Sequence, residues 1–178
     1  MTREMLSLFA LVSPIDRHTV WDSWLRFCFS QEERHGFAFT HLGCETASLH
    51  PDGIRTRSRY LKKLEAAVRQ GEDIWNMEFY LLPKEFHQAV FDFRVYMGLS
   101  LREQRSHCEI TVESGFPGDF RYQEVLRSIR EFLHIEKVEV NLLPHDQTFN
   151  YNVNRILFST PGSQERDHGL IRRLYQEP

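Results

Sequence analysis

The chain has 178 residues, of which 41% are hydrophobic, 26% charged and 13% aromatic, and its formal net charge is −3. This length fits one domain and is sufficient to bury a core without a disulfide or a metal. The slightly acidic balance excludes a generally basic nucleic-acid binder. An odd number of cysteines, 3 in all, fits no disulfide framework and indicates a reducing compartment.

The first recognisable element is a short apolar run, Met5–Val12. It is much shorter than the roughly 20 residues that a membrane-spanning helix needs. Acidic Glu4 precedes the run and no small-residue cleavage site follows before Trp21, so it does not have the pattern of a signal peptide. We therefore predict a buried first strand in a cytoplasmic protein without membrane contact.

Two helices and a short strand are predicted next. The order Ser13-Pro14-Ile15-Asp16 is typical of a helix start, with a capping serine and a proline at the first helical position. The helix would end at His35 and pack one apolar stripe against the core. This stripe consists of Val20, Trp21, Trp24, Leu25 and Cys28. An aromatic strand is expected over Gly36–Leu42, and a second helix over about Ile54–Gln70, closed by Gly71.

Three consecutive strands are predicted in the middle of the chain, over Ile74–Leu82, His87–Leu99 and His107–Ser114. Each alternates between apolar and polar residues, so each should have one packed face and one solvated face. In the first of them the inward residues would be Trp75, Met77, Phe79 and Leu81.

The remaining pattern predicts a helix over about Phe120–Leu133, strands over Val138–Leu142 and Val153–Ser159, and a short helix in Gln164–Tyr175. Strands grouped in the middle with helices before and after them are typical of an α+β fold. We expect a single domain over residues 1–178, with an antiparallel or mixed sheet of about six to seven strands and helices mainly on one face.

His41, Cys44 and His50 form the densest group of metal-ligating or nucleophilic residues. A zinc site would need a second pair of ligands at the usual spacing, which the sequence lacks. Cys44 beside His41 is the one arrangement that suggests a reactive thiol, because Cys28 and Cys108 fall on apolar faces. Phosphate-binding glycine loops, nucleophile elbows and zinc-protease motifs are absent. We predict no catalytic residue, no metal and no cofactor.

A basic segment stands out against the acidic chain. Residues 54–70 hold six basic residues and one acidic residue, so this segment carries +5 and the rest of the chain −8. Its cations on one helix side are Arg55, Arg59, Lys62, Lys63 and Arg69. Such a stripe either meets phosphates or an acidic partner, or is simply the solvated side of an amphipathic helix.

An acidic and aromatic surface is expected on the polar side of the three middle strands. Its residues are Glu78, Tyr80, Asp92, Arg94, Tyr96, Glu109 and Glu113. Tyrosine and arginine among carboxylates suit a binding site for a basic protein partner. One alternative is an ordinary solvated sheet face. Another is that the carboxylates serve acid–base chemistry or bind a divalent ion.

A small, acidic, aromatic-rich α+β chain of this kind resembles the stand-alone immunity proteins that bacteria encode beside toxic effectors, such as those delivered by type VI secretion. The resemblance lies in size and overall pattern. It implies a cytoplasmic antitoxin that binds a cognate toxin and occludes its active site without catalysis. An acidic inhibitor would associate rapidly with a basic, nuclease-like toxin and would not itself bind nucleic acid.

Two other functions remain open at this point. One is a small hydrolase-type enzyme that uses His41, Cys44 and His50, or the carboxylates Asp92, Glu109 and Glu113. The other is a regulatory module that binds phosphate or protein through the basic helix 54–70. The sequence does not predict an oligomeric state.

Overall fold

The computed structural model describes residues 3–46, 54–82, 93–102, 106–116, 118, 120–146 and 172–177. These ranges contain eight strands and three helices. The strands are β1 (Glu4–Pro14), β2 (His41–Thr46), β3 (Arg55–Thr56), β4 (Ile74–Leu81), β5 (Val95–Ser100), β6 (His107–Glu113), β7 (Leu133–Pro144) and β8 (Arg172–Glu177). The helices are α1 (Val20–His35), α2 (Arg57–Gln70) and α3 (Tyr122–Ile129). None of these described helices is long and apolar enough to cross a bilayer.

All described strands belong to one sheet, in the order β3-β2-β4-β5-β6-β1-β7-β8, and every neighbouring pair is antiparallel. The α+β prediction with an antiparallel sheet is therefore confirmed. The strand count of about six to seven was too low, because the described part of the sheet has eight strands. The two-residue β3 is too short to produce an alternating pattern, and β8 falls where a helix was expected.

The core lies between one face of the sheet and the helices. β1 directs Leu8, Ala10 and Val12 into it, and all three are at most 3% exposed. Trp24 of α1, Leu64 of α2 and Ile129 of α3 join the same cluster, and each is fully buried. The three helices therefore pack on the same face, as predicted, and α1 buries the stripe that the spacing indicated.

A buried ion pair connects α1 to α2. Glu32, near the end of α1, is 8% exposed, and its Oε1 accepts hydrogen bonds from the Phe39 backbone N–H and the Arg57 guanidinium. The same guanidinium lies over the Phe29 ring, 5.1 Å from its centroid. One carboxylate thus positions the first residue of α2 and the segment that leads into β2.

The predicted start of α1 was wrong. Ser13 and Pro14 pair with β7 and end β1, and the helix begins at Val20. Asp16 stabilises the turn before the helix, since its carboxylate accepts hydrogen bonds from the His18 N–H (2.9 Å) and the Thr19 hydroxyl (3.0 Å). The sequence that suggested a helix start therefore forms the end of a strand, with Ser13 and Pro14, and the turn after it, with Asp16.

Three more boundaries moved because tertiary pairing overrides local pattern. The strand expected over Gly36–Leu42 begins only at His41, and the second helix begins at Arg57 because β3 pairs with β2. α3 ends at Ile129, and Leu133, predicted in that helix, is the first residue of β7. Residues 55–56 and Leu133, predicted in helices, form strands because they pair with β2 and β1.

Trp75 does not point inward as predicted. It is 42% exposed, and Ile74 is buried instead, at 4% exposure. The register between β2 and β4 passes from Asn76 to Ile74, which makes Trp75 the extra residue of a bulge. The alternation therefore slips at the start of β4.

The tail and two other predicted segments extend beyond the described residues. Residues 172–175, predicted as helix, belong to β8, which pairs with β7. The rest of the predicted tail helix, the strand Val153–Ser159 and positions 87–92 of the third middle strand lie outside the described residues.

We expect Glu32→Gln to lower the free energy of unfolding by about 2 kcal/mol, because the substitution removes the charge that pairs with Arg57 in a buried position. Urea denaturation followed by tryptophan fluorescence measures the loss. Glu33→Gln is the matched control, since Glu33 is the adjacent, exposed acid of the same helix. Equal stability losses in the two variants would show that the pair does not stabilise the contact between the helices.

Candidate functional site

Four of the predicted partner-binding residues lie together on the sheet face opposite the core. β4, β5 and β6 are neighbours, and their register places Glu78 opposite Gly98 and Gly98 opposite Glu109. Two residues further along β4, and on the same face, Tyr80 lies opposite Tyr96. Glu78, Tyr80, Tyr96 and Glu109 therefore form one acidic–aromatic cluster, as the alternation indicated.

Glu78 is the centre of this cluster. The Tyr80 hydroxyl donates to its Oε2 at 2.7 Å, and the Tyr96 hydroxyl donates to its Oε1 at 3.3 Å. The two tyrosine rings contact each other, with centroids 5.0 Å apart. Burial, reinforced by the Glu78 charge, raises the pKa of both hydroxyls, so both remain protonated hydrogen-bond donors.

Two glycines beside Glu78 make this arrangement possible. A Cβ at Gly98 would lie 2.3 Å from the Tyr96 Oη, and a Cβ at Gly43 would lie 3.1 Å from the Glu78 Oε2. Gly98 therefore leaves the space through which the Tyr96 hydroxyl reaches Glu78. Neither glycine was predicted from the sequence, although a glycine inside a strand signals a close approach of this kind.

The predicted solvation of this face was wrong. Tyr80 is 7% and Glu109 9% exposed, whereas Glu78 and Tyr96 are half-buried. The buried polar row continues onto β1, where the Thr111 hydroxyl lies 3.3 Å from the Ser7 Oγ and 3.4 Å from the Glu109 Oε1. On β7 it includes Glu139 and Asn141, both at most 2% exposed. Most of the polar face is therefore interior.

Arg94 and Glu113 belong to a separate ion-pair group at the end of β6. The Glu113 carboxylate accepts bonds from the Arg94 Nε at 2.7 Å and the Arg3 Nε at 3.0 Å. Arg94 also lies over the Phe116 ring, 4.0 Å from its centroid. Burial would raise the pKa of Glu113, but the bonds from Arg94 and Arg3 outweigh burial and hold that pKa below its ordinary value. Asp92, predicted beside them, lies outside the described residues.

His41 and Cys44 do not form a nucleophile and base. Both lie on β2, three positions apart, and so point to opposite faces. Cys44 packs in the core, and burial raises the pKa of its thiol to about 12. Burial also lowers the pKa of His41. His50 lies outside the described residues.

The other two thiols are also unreactive, and the candidate metal ligands of the described residues do not converge. Cys28 and Cys108 are fully buried, and burial raises the pKa of each thiol well above its ordinary range. Within the described ranges, histidines, cysteines and acids do not come together in any group of three that could hold a metal ion.

The predicted basic residues of the second helix are solvent-exposed. Arg59, Lys62, Lys63 and Arg69 lie on the outer side of α2, and Arg55 is exposed in β3. Arg57 differs from them, since its guanidinium turns towards Glu32. Arg57 thus has a structural role, whereas the predicted basic residues are exposed on the surface.

Comparison with protein families, with curated proteins and with solved structures gives no match.

We expect Gly98→Ala to destabilise the protein by about 2 kcal/mol, because the added methyl group displaces the Tyr96 ring from Glu78. Chemical denaturation measures this change. In a Tyr96→Leu background the same substitution should cost much less, since the clashing hydroxyl is gone. Additive losses in the double variant would contradict the assignment of this space to Tyr96.

The Glu113 ion pairs should stabilise the fold only above acidic pH. The pKa of Glu113 in the folded state lies below its ordinary value of 4.5, so its contribution is complete above pH 4.5 and is lost as the pH falls through the folded-state pKa. The difference in unfolding free energy between wild type and Glu113→Gln should be about 1 kcal/mol at pH 7 and should shrink in acid. A difference that is independent of pH between 7 and 3 would contradict this prediction.

Proposed function

We propose that the protein is a non-enzymatic binding protein that neutralises a cognate toxin by covering its active site, as the immunity component of a bacterial toxin–immunity pair. The observation that supports this proposal best is the acidic–aromatic cluster, in which Glu78 is fixed by Tyr80 and Tyr96 and has Glu109 on the same face. These residues offer negative charge and aromatic surface in a defined geometry.

The cluster has the chemistry that holds a cationic side chain of a partner. A carboxylate has about four lone-pair positions, and the two tyrosine hydroxyls occupy one on each oxygen of Glu78. The remaining positions suit an arginine or lysine, which also interacts favourably with aromatic rings. Because two hydroxyls already hold the carboxylate, binding costs little ordering of Glu78.

Exposure decides which residues would contact the partner. Glu78 and Tyr96 are half-buried and Arg94 is exposed, so these three are the candidates for direct contact. Tyr80 and Glu109 would act indirectly, Tyr80 by fixing Glu78 and Glu109 by adding negative potential.

The alternative of a hydrolase that uses the predicted residues has less support. His41 and Cys44 point to opposite faces, and the Cys44 thiol is protonated at neutral pH. Glu113 is held by two arginines, which keep it ionised and occupy both of its oxygens. A carboxylate in that state is a poor general acid. These arrangements favour binding over hydrolysis.

Charge supports the same proposal at longer range. Outside the basic segment 54–70 the chain carries −8, which would attract a basic toxin before contact. Association rates of such pairs fall as salt rises, whereas dissociation depends on the groups buried at the interface.

The test begins with capture of proteins from the native cells on immobilised wild-type chain. We expect a retained protein whose own enzymatic activity is inhibited at a 1:1 ratio by the purified chain, because occlusion needs one inhibitor per active site. Glu78→Gln should weaken this binding by about tenfold or more, since it removes the charge that receives the partner's cation.

Glu136→Gln is the matched control, as Glu136 is an exposed acid on β7 outside the cluster. Its affinity should stay close to that of the wild type. Recovery of chaperones alone, or a captured protein bound equally well by the Glu78→Gln variant, would contradict the proposal.

A further inference from the structure

We infer that the basic face of α2, formed by Arg59, Lys62, Lys63 and Arg69, is a docking site for an acidic stretch of a protein partner. This site is distinct from the acidic–aromatic cluster. The inference does not depend on the proposed function and would stand if the cluster bound nothing.

The four cations share one side of the helix. At 100° per residue they fall within an arc of about 120°, whose centre lies on the side of the helix away from the buried Leu64. From Arg59 to Arg69 they extend over about 15 Å along the helix axis. They therefore form a positive strip on one exposed side of the helix, with Ala66 between Lys63 and Arg69 and a single acid, Glu65, at its edge.

The strip is presented on a firmly held helix. Leu64 and Ala67 are at most 1% exposed, and Arg57 is tied to Glu32 of α1. Gly71, with φ of 67°, closes the helix, and its N–H reaches the Val68 carbonyl. A ligand would therefore meet cations whose backbone positions are already fixed.

These four cations have no ionic partner among the residues that the structure describes, although other exposed arginines have one. Arg26 pairs with Asp22, Arg34 with Glu124, Arg102 with Glu45 and Arg130 with Glu177. The contrast matters in a chain with more acids than bases, because acidic partners are available in excess.

The surroundings favour an acidic polypeptide over nucleic acid. A strip of about 15 Å meets only a few phosphates of a nucleic acid, and phosphates beyond it would meet a chain that carries −8 outside this segment. The exposed side of α2 has no aromatic residue on which a base could stack. Trp75 is exposed beyond the helix, but its Nε1 donates to Asp73, whose charge repels phosphate.

A membrane surface fits less well for a different reason. Helices that lie on membranes insert an apolar side between the lipids. The apolar side of α2 is already packed, with Leu64 and Ala67 in the core. An acidic peptide needs only the exposed cations.

The test uses the full chain and a fluorescein-labelled disordered peptide of alternating glutamate and serine, with binding followed by fluorescence anisotropy at low ionic strength. The triple variant Arg59→Gln, Lys62→Gln, Lys63→Gln should bind this peptide about tenfold more weakly than the wild type. Glutamine is a good helix former, so α2 should persist, which circular dichroism checks.

The matched control removes three other exposed arginines, in the triple variant Arg17→Gln, Arg127→Gln, Arg172→Gln. It changes the net charge equally and should leave peptide affinity close to the wild-type value. Equal loss in both triple variants, or no peptide binding by the wild type, would overturn the inference. So would α2-dependent binding of oligothymidylate or phosphatidylserine vesicles that is tighter than binding of the peptide. Inhibition of a captured toxin is measured separately with the Glu78→Gln variant, so the two proposals fail independently.

Discussion

The structure depends on the position of β1 between β6 and β7, which gives this strand hydrogen-bonded neighbours on both sides. Both of its edges are therefore paired, and its two faces differ in character. Leu8 and Ala10 pack under the helices, whereas Ser7 on the other face is 1% exposed and lies beside Thr111. Most buried polar side chains in proteins are hydrogen-bonded, as the Ser7 and Thr111 hydroxyls are to each other. The apolar core and the polar interior are thus two sides of the same strand.

The two charged surfaces belong to the same half of the sheet but to opposite layers. Strands β4, β5 and β6 carry the acidic–aromatic cluster on the face away from the helices, while α2 packs beside β2 at the β3 edge and carries the basic strip. A net charge of −3 therefore conceals a molecule with strong local charges of both signs. Partners of opposite charge pattern would be oriented before contact, which is a source of specificity as well as of speed.

Long periodic segments were predictable from the sequence, because packing on one side leaves a repeating pattern. The stripe of α1 and the alternation of β4 to β6 are of this kind. The pattern around Ser13 and Pro14 was ambiguous, since the same residues suit a helix start and a strand end. Residues 172–175 became strand through pairing with β7, which no local preference shows. Alternation identified the polar face, but it could not show that Tyr80 and Glu109 are buried. A polar residue produces the same sequence pattern whether its hydrogen bonds go to water or to another side chain.

The central place of an early strand has a consequence for synthesis. β1 is synthesised before both of its neighbours, since β6 follows about a hundred residues later, with Phe9 opposite Glu109, and β7 follows later still. Until then an apolar strand has two unpaired edges, which is the form most prone to pair with another chain. The helical segment α1, made directly after it, is the nearest apolar surface that can cover Leu8 and Ala10 in the meantime. The sheet around β1 therefore cannot be completed until β7 has been synthesised, and the growing chain has to be kept from self-association until then.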